Sequence, residues 1–255
     1  MLLVIDVGNT NIKYGVWKDD NMLASFRVSS RISRTADEYG SVLVNLLGDS
    51  GIKKTDVDGI IVSSVIPTLN YTICHMCEYF FGISPLMVGP GVKTGLNIKV
   101  ENPKEVGADR IVNSVAAYKK HGGPVIVIDF GTATTFNVID GSGAFIGGVI
   151  APGIKTSLTG LVSSTAQLPM IELVPPKKVV AKNTETNMQA GIIFGFAGLV
   201  DNIVGKIKKE LGDENVKVIA TGGLGEIIAK ETKSISVVDR TLTLFGLKLI
   251  YDLNK

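Results

Sequence analysis

Met1-Leu2-Leu3-Val4-Ile5-Asp6-Val7-Gly8-Asn9-Thr10-Asn11-Ile12-Lys13 opens the chain and decides how the rest is read. An apolar run ends on Asp6. A Gly-Asn turn follows, and a second apolar segment runs from Ile12 to Trp17. This pattern predicts a β-hairpin with Asp6 held at the tip of a buried strand. Gly8 allows a tight turn and leaves room for a ligand to approach. Asn9, Thr10 and Asn11 bring amide and hydroxyl groups, and Lys13 brings a cation. With the turn N–H groups, these are the parts needed to hold a phosphate chain and its metal ion. An ordinary hairpin with a polar turn fits the same residues, so the stretch alone leaves both readings open.

A second copy tips the balance. Val125-Ile126-Val127-Ile128-Asp129-Phe130-Gly131-Thr132-Ala133-Thr134-Thr135 repeats the design of apolar strand, Asp-x-Gly and second strand, about half of the 255-residue chain later. A repeat at half-length predicts a duplicated domain, with residues 1–121 and 122–255 as the two copies. Two such hairpins facing one cleft would grip a nucleotide. Thr221-Gly222-Gly223 ends a strand and opens a helix, a geometry suited to close approach by an adenosine.

Composition narrows the class. Hydrophobic residues make up 45% and charged residues 20%, an ordinary globular mix. The formal net charge of +2 gives no long-range field to recruit nucleic acid or an anionic membrane. No signal sequence is expected, because Met1 leads straight into a strand. The most apolar stretch, Gly191 to Val200, stops at Asp201 and is too short to span a bilayer. A cytoplasmic protein with no membrane or nucleic-acid partner is therefore expected. The two cysteines, Cys74 and Cys77, fall in an amphipathic pattern from Leu69 to Phe81. They read as helix or core thiols, because a zinc site usually wants four ligands.

In chain order, the first half reads β-β-β-α-β-α-β. Thr35-Ala36-Asp37-Glu38 forms a capping box ahead of a helix reaching about Leu47. Gly59 to Val65 is a buried strand, and Pro67 opens a helix. Gly89 to Gly95 is a loop that lacks the Walker pattern. Asp109 and Arg110 lead a helical pattern. Asp109 is either a dipole partner in the first turn or a base, with Arg110 a substrate-holding cation. After a seam at Gly122-Gly123-Pro124, the second half reads β-β-β-α-α-β-α. Its long helix is capped within Asn183 to Asn187, and Ala190 to Val200 is apolar all round, which predicts burial, including in a subunit interface. Strands followed by strand–helix alternation imply mixed sheets with helices packed on them.

The hairpins and the Thr-Gly-Gly turn resemble the actin, Hsp70 and sugar-kinase superfamily, an α/β fold of two duplicated ribonuclease-H-like domains around an ATP cleft. More narrowly, Asp6 to Lys13, Gly89 to Gly95, Gly107-Ala108-Asp109-Arg110, Asp129 to Thr134 and Gly147 to Gly153 together resemble type III pantothenate kinases. The resemblance covers nearly the whole chain. It implies phosphorylation of pantothenate by ATP with Mg²⁺, a requirement for a monovalent cation (K⁺ or NH₄⁺), and a homodimer. Carried over to this sequence, Asp6, Val7, Gly8, Asn9, Thr10, Asn11, Ile12 and Lys13 would bind ATP, and Asp6 its Mg²⁺. Thr132, Gly222 and Gly223 would complete the nucleotide site. Gly107, Ala108, Asp109, Arg110 and Thr184 would hold pantothenate. Asp109 would be the base, and Asp129 would bind the monovalent cation. Val92 offers no polar contact to a substrate. Rival readings are a sugar or acetate kinase, a nucleotide-binding switch without an acceptor, and a phosphatase of the same fold.

Overall fold

The computed structural model describes residues 1–255. The chain forms two compact units. The first comprises Met1–Leu96, Glu101–Ala116 and Leu242–Lys255; the second comprises Asn97–Val100 and Ala117–Thr241. These units divide the chain differently from a single cut between residues 121 and 122. The closing segment belongs to the first unit, because its helix buries Leu244, Leu247 and Ile250 against Leu2, Val4 and Ile61.

The first unit is built on five strands, β1 (Leu2–Val7), β2 (Asn11–Lys18), β3 (Asn21–Ser29), β4 (Gly59–Ser64) and β5 (Leu86–Met87). They lie in the order β3-β2-β1-β4-β5. β1, β2 and β3 form an antiparallel meander, while β4 and β5 add in parallel. A parallel neighbour needs a crossover, and helices α1 (Ala36–Asp49) and α2 (Pro67–Phe81) supply the two crossovers. The Thr35–Glu38 capping box forms as read. Strand alternation then sorts the side chains of β1. Leu3, Ile5 and Val7 pack with Leu43, Ile73 and Met76 of α1 and α2. Leu2 and Val4 face the other way, onto α7 (Leu242–Leu253) and the start of α3 (Ala108–His121). Asp6 has the parity of Leu2 and Val4.

The second unit holds β6 (Asn97–Ile98), β7 (Val125–Phe130), β8 (Ala133–Ile139), β9 (Ala144–Pro152), β10 (Lys217–Gly222) and β11 (Val237–Val238). Their order is β11-β10-β7-β8-β9-β6. Without β6, this repeats the first sheet strand for strand: a meander of three, then two parallel additions beside its first strand. Here Ile126, Ile128 and Phe130 pack with Ile193, Val200 and Val204 of α5 (Thr184–Leu211) and Ile228 of α6 (Gly225–Ala229). Asp129 again has the opposite parity. The short helix α6 follows Thr221-Gly222-Gly223 as read, while the short β6 and β11 lie outside the elements read from the sequence. Each is too brief to show a period.

The structure corrects one reading of α5. Past Asp201 the helix stays amphipathic, with Ile203, Val204 and Ile207 on its packed face. At 28 residues, α5 is the one helix long and apolar enough to cross a membrane by length and composition. It is not buried all round: a stripe through Ile193, Phe196, Val200 and Val204 packs on the second sheet, while Gly191, Gly195 and Gly198 stay exposed.

Candidate functional site

In the first unit, the opening hairpin forms in the expected register, with Asp6 opposite Lys13 and Val7 opposite Ile12. Asp6 is only 5% exposed. A buried carboxylate needs partners, and it has them on both sides. Lys13 Nζ donates to Oδ2 at 3.2 Å, and Ser63 Oγ on β4 donates to Oδ1 at 3.3 Å. Ser63 is fully buried. The sequence reading missed it, although its signal was there: a hydroxyl at the end of a strand whose parallel register aligns it with Asp6.

The turn between β1 and β2 is pinned from β3. Ser30 Oγ donates to the Gly8 carbonyl at 2.6 Å, and the Ser30 N–H donates to the Thr10 carbonyl at 3.1 Å. The Gly8 N–H closes the turn onto the Asn11 carbonyl at 3.1 Å. Gly8 contributes space rather than an unusual backbone angle. It is not among the glycines with positive φ, and a Cβ there would sit 3.2 Å from the Asn11 carbonyl oxygen. Asn9 is exposed at the tip, and Thr10 and Asn11 are half-buried.

Asp109 and Arg110 also belong to the first unit, in the first turn of α3. The carboxylate folds back on the helix start, where Oδ1 accepts the Arg110 N–H at 2.8 Å. The Gly107 carbonyl accepts from the Arg110 and Ile111 N–H groups at 3.0 and 3.2 Å. A Cβ on Gly107 would lie 2.6 Å from Asp109 Oδ1, so the missing side chain is what makes room for this carboxylate. Ala108 is half-buried beside them. Burial holds the Arg110 guanidinium below its ordinary pKa, and the charge of Asp109 works against that shift. A guanidinium in this setting remains charged.

In the second unit, Asp129 is the second-last residue of β7, with Thr221 of β10 beside it in register. Gly222 has φ 92°, and a Cβ on it would lie 2.7 Å from Asp129 Oδ1 and 2.6 Å from the Phe130 carbonyl oxygen. The absence of that Cβ opens a cradle of carboxylate and carbonyl oxygen. Gly223 follows, exposed. Thr132 is exposed in the β7–β8 turn, and its carbonyl accepts from Thr156 Oγ1 at 2.7 Å and from the Gly153 N–H at 3.1 Å. This ties the turn to the start of α4 (Ile154–Ser163). A side chain on Gly153 would collide with the Thr132 and Gly131 carbonyls. Thr184 is exposed at the first position of α5, after Asn183, whose side chain accepts the Thr186 N–H at 2.9 Å. No hydrogen bond ties Thr184 to another candidate residue.

The donor set suits a metal delivered with a nucleotide. Nowhere do three His, Cys, Asp or Glu side chains converge as a metal cage. Mg²⁺ characteristically takes one or two carboxylates, several waters and substrate phosphates. Asp6 at the strand tip offers one such carboxylate beside a lysine.

A family model described as type III pantothenate kinase matches residues 2–206. Among solved structures, a conserved Baf family protein from Campylobacter jejuni is 20% identical with a TM-score of 0.62, covering 99% of this chain and 98% of that one. Component A of the (R)-2-hydroxyglutaryl-CoA dehydratase of Acidaminococcus fermentans is 13% identical with a TM-score of 0.57, over 96% and 94% of the two chains. A ROK hexokinase from Thermus thermophilus is 12% identical with a TM-score of 0.52, over 100% and 99%. At these identities the three structures establish the shared fold, the doubled ribonuclease-H-like architecture.

Proposed function

The chain belongs to the type III pantothenate kinase family, and from that premise we propose which of its residues carry the reaction. Members transfer the γ-phosphate of ATP to the primary hydroxyl of pantothenate, giving 4′-phosphopantothenate, the first step of coenzyme A synthesis. ATP and Mg²⁺ come with that membership.

Asp6 to Lys13 hold the triphosphate, with Asp6 as the protein ligand of its Mg²⁺. Thr132, Gly222 and Gly223 hold the rest of the nucleotide. Gly107 to Arg110 receive pantothenate, and Arg110 pairs with its carboxylate, for which a guanidinium fork is suited. Thr184 makes a further pantothenate contact. Asp109 accepts the proton of the attacking hydroxyl. The metal neutralises charge on the transferring phosphoryl group. The protein's share is to position the hydroxyl, the base and the phosphates. Asp129 and the cradle beside Gly222 take K⁺ or NH₄⁺. The enzyme works as a cytoplasmic homodimer; the glycine-lined outer face of α5, which admits close approach, supports the dimer.

The observation that carries this reading is the strand-end acid repeated on equivalent parity, Asp6 on β1 and Asp129 on β7, each the second-last residue in the first strand of the same five-strand pattern. Its test is Asp109→Asn. A positioned base contributes about 10²–10⁴-fold, so turnover should fall at least ~10²-fold with the fold and the ATP KM retained. Near-normal turnover would remove Asp109 from the base role.

A further inference from the structure

We propose that Arg27 is a further anion-binding residue of the hairpin site, taking a polyphosphate oxygen of the nucleotide beside Lys13. The inference rests on the reading of Asp6 to Lys13 as the phosphate grip. It comes from sheet register. Ser63 pairs with Asp6, Asp6 with Lys13, and Lys13 with Arg27. Residues paired across a sheet share a face. Four neighbouring strands, β4-β1-β2-β3, therefore carry a single polar row of hydroxyl, carboxylate, ammonium and guanidinium.

The row is internally satisfied at one end only. Ser63 and Lys13 both bond Asp6. Arg27 is exposed and enters no hydrogen bond or ion pair. Like charges directly opposite each other on paired strands are destabilising, and the Asp6 carboxylate is held between Ser63 and Lys13. A polyanion at this end would relieve the repulsion between the two cations. A guanidinium also offers a fork of donors that matches phosphate oxygens. Arg27 is firmly placed: three residues on, Ser30 ties the end of its strand to both Gly8 and Thr10 of the phosphate turn.

The competing explanation is that Arg27 guards an edge strand, since β3 ends its sheet and charged side chains there deter pairing between molecules. Steady-state kinetics on the full chain separates the two. Arg27→Ala, Arg27→Lys and Lys13→Ala are compared with the parent at low and high salt, with circular dichroism as the folding control. The expectation is that Arg27→Ala raises the KM for Mg·ATP about tenfold and weakens its salt dependence, with the pantothenate KM unchanged. Arg27→Lys should recover part of the loss. An ATP KM within about twofold of the parent, while Lys13→Ala raises it, would overturn the Arg27 assignment and leave an edge guard. A change confined to the pantothenate KM would also overturn it. If neither variant moves the ATP KM, the hairpin reading falls and Arg27 falls with it.

Discussion

Gly107→Ala isolates the placement of the proposed base from its chemistry. The new Cβ would stand 2.6 Å from Asp109 Oδ1, where ordinary contact begins near 3.4 Å. The carboxylate must therefore retreat by about 0.8 Å. Doing so strains or breaks its 2.8 Å bond from the Arg110 N–H. The backbone angle is no obstacle, because Gly107 does not occupy the left-handed region. The charge of Asp109 is untouched. Misplacing a reacting group by about 1 Å can cost on the order of 10² in rate, so kcat should fall roughly 30- to 100-fold, about 2–2.7 kcal/mol of activation free energy. A coupled assay for ADP at saturating ATP and pantothenate reads kcat directly. Thermal unfolding should stay within a few degrees of the parent. A folded Gly107→Ala enzyme with kcat within about threefold of the parent would show that the position of Asp109 does not limit the reaction.

Three further outcomes follow from the same geometry. Arg110→Ala should raise the pantothenate KM by about one to two orders of magnitude, the usual loss for a charge-assisted bond, and leave the ATP KM alone; an unchanged pantothenate KM refutes the carboxylate pairing. Gly222→Ala forces a side chain into a backbone with φ 92° and against Asp129. It should destabilise the fold by about 1–2 kcal/mol and raise the potassium concentration needed for half-maximal turnover, and an unaltered potassium response would detach Asp129 from cation binding. Burial pushes the Cys77 thiol up to about 12 and also raises that of Cys74, so both should react slowly with a thiol reagent at pH 8 in the folded protein and quickly once it is unfolded. Fast labelling of Cys77 in the native state would contradict its packing in the core.

Most of the architecture was legible because the buried apolar strands β1 and β7 each carry a carboxylate near the end, which must find polar partners. A run such as Leu2 to Ile5 closing on Asp6 has few ways to satisfy both the apolar side chains and the carboxylate, and the same tension at Asp129 exposed the duplication. Registers between distant strands were not legible. Ser63 reaches Asp6 only because β4 adds in parallel to β1, a pairing of residues far apart in the chain. Arg27 joins the row through a second registration, past a bulge between Val16 and Trp17. The role of Gly107 also required side-chain geometry, since its sequence context shows a loop glycine and not the carboxylate it accommodates. The one-sided burial of α5 was not legible either: Ala190 to Val200 is apolar on every side, yet only the stripe through Ile193, Phe196 and Val200 packs, and Gly191, Gly195 and Gly198 stay exposed. The place of the C-terminal helix in the first unit was not legible in the sequence. Chain order favoured the nearer unit, but Leu244, Leu247 and Ile250 find their apolar partners on β1 and β4.

The central claim is tested most directly by ADP release from the purified chain with Mg²⁺ and ATP, with and without pantothenate, first in potassium and then in sodium buffer. Release that depends on pantothenate is the predicted result, and its loss in sodium would support a cation at Asp129. Equal turnover in both buffers would remove the cation while keeping the kinase. Release at the same rate whether or not pantothenate is present would contradict the account at its root.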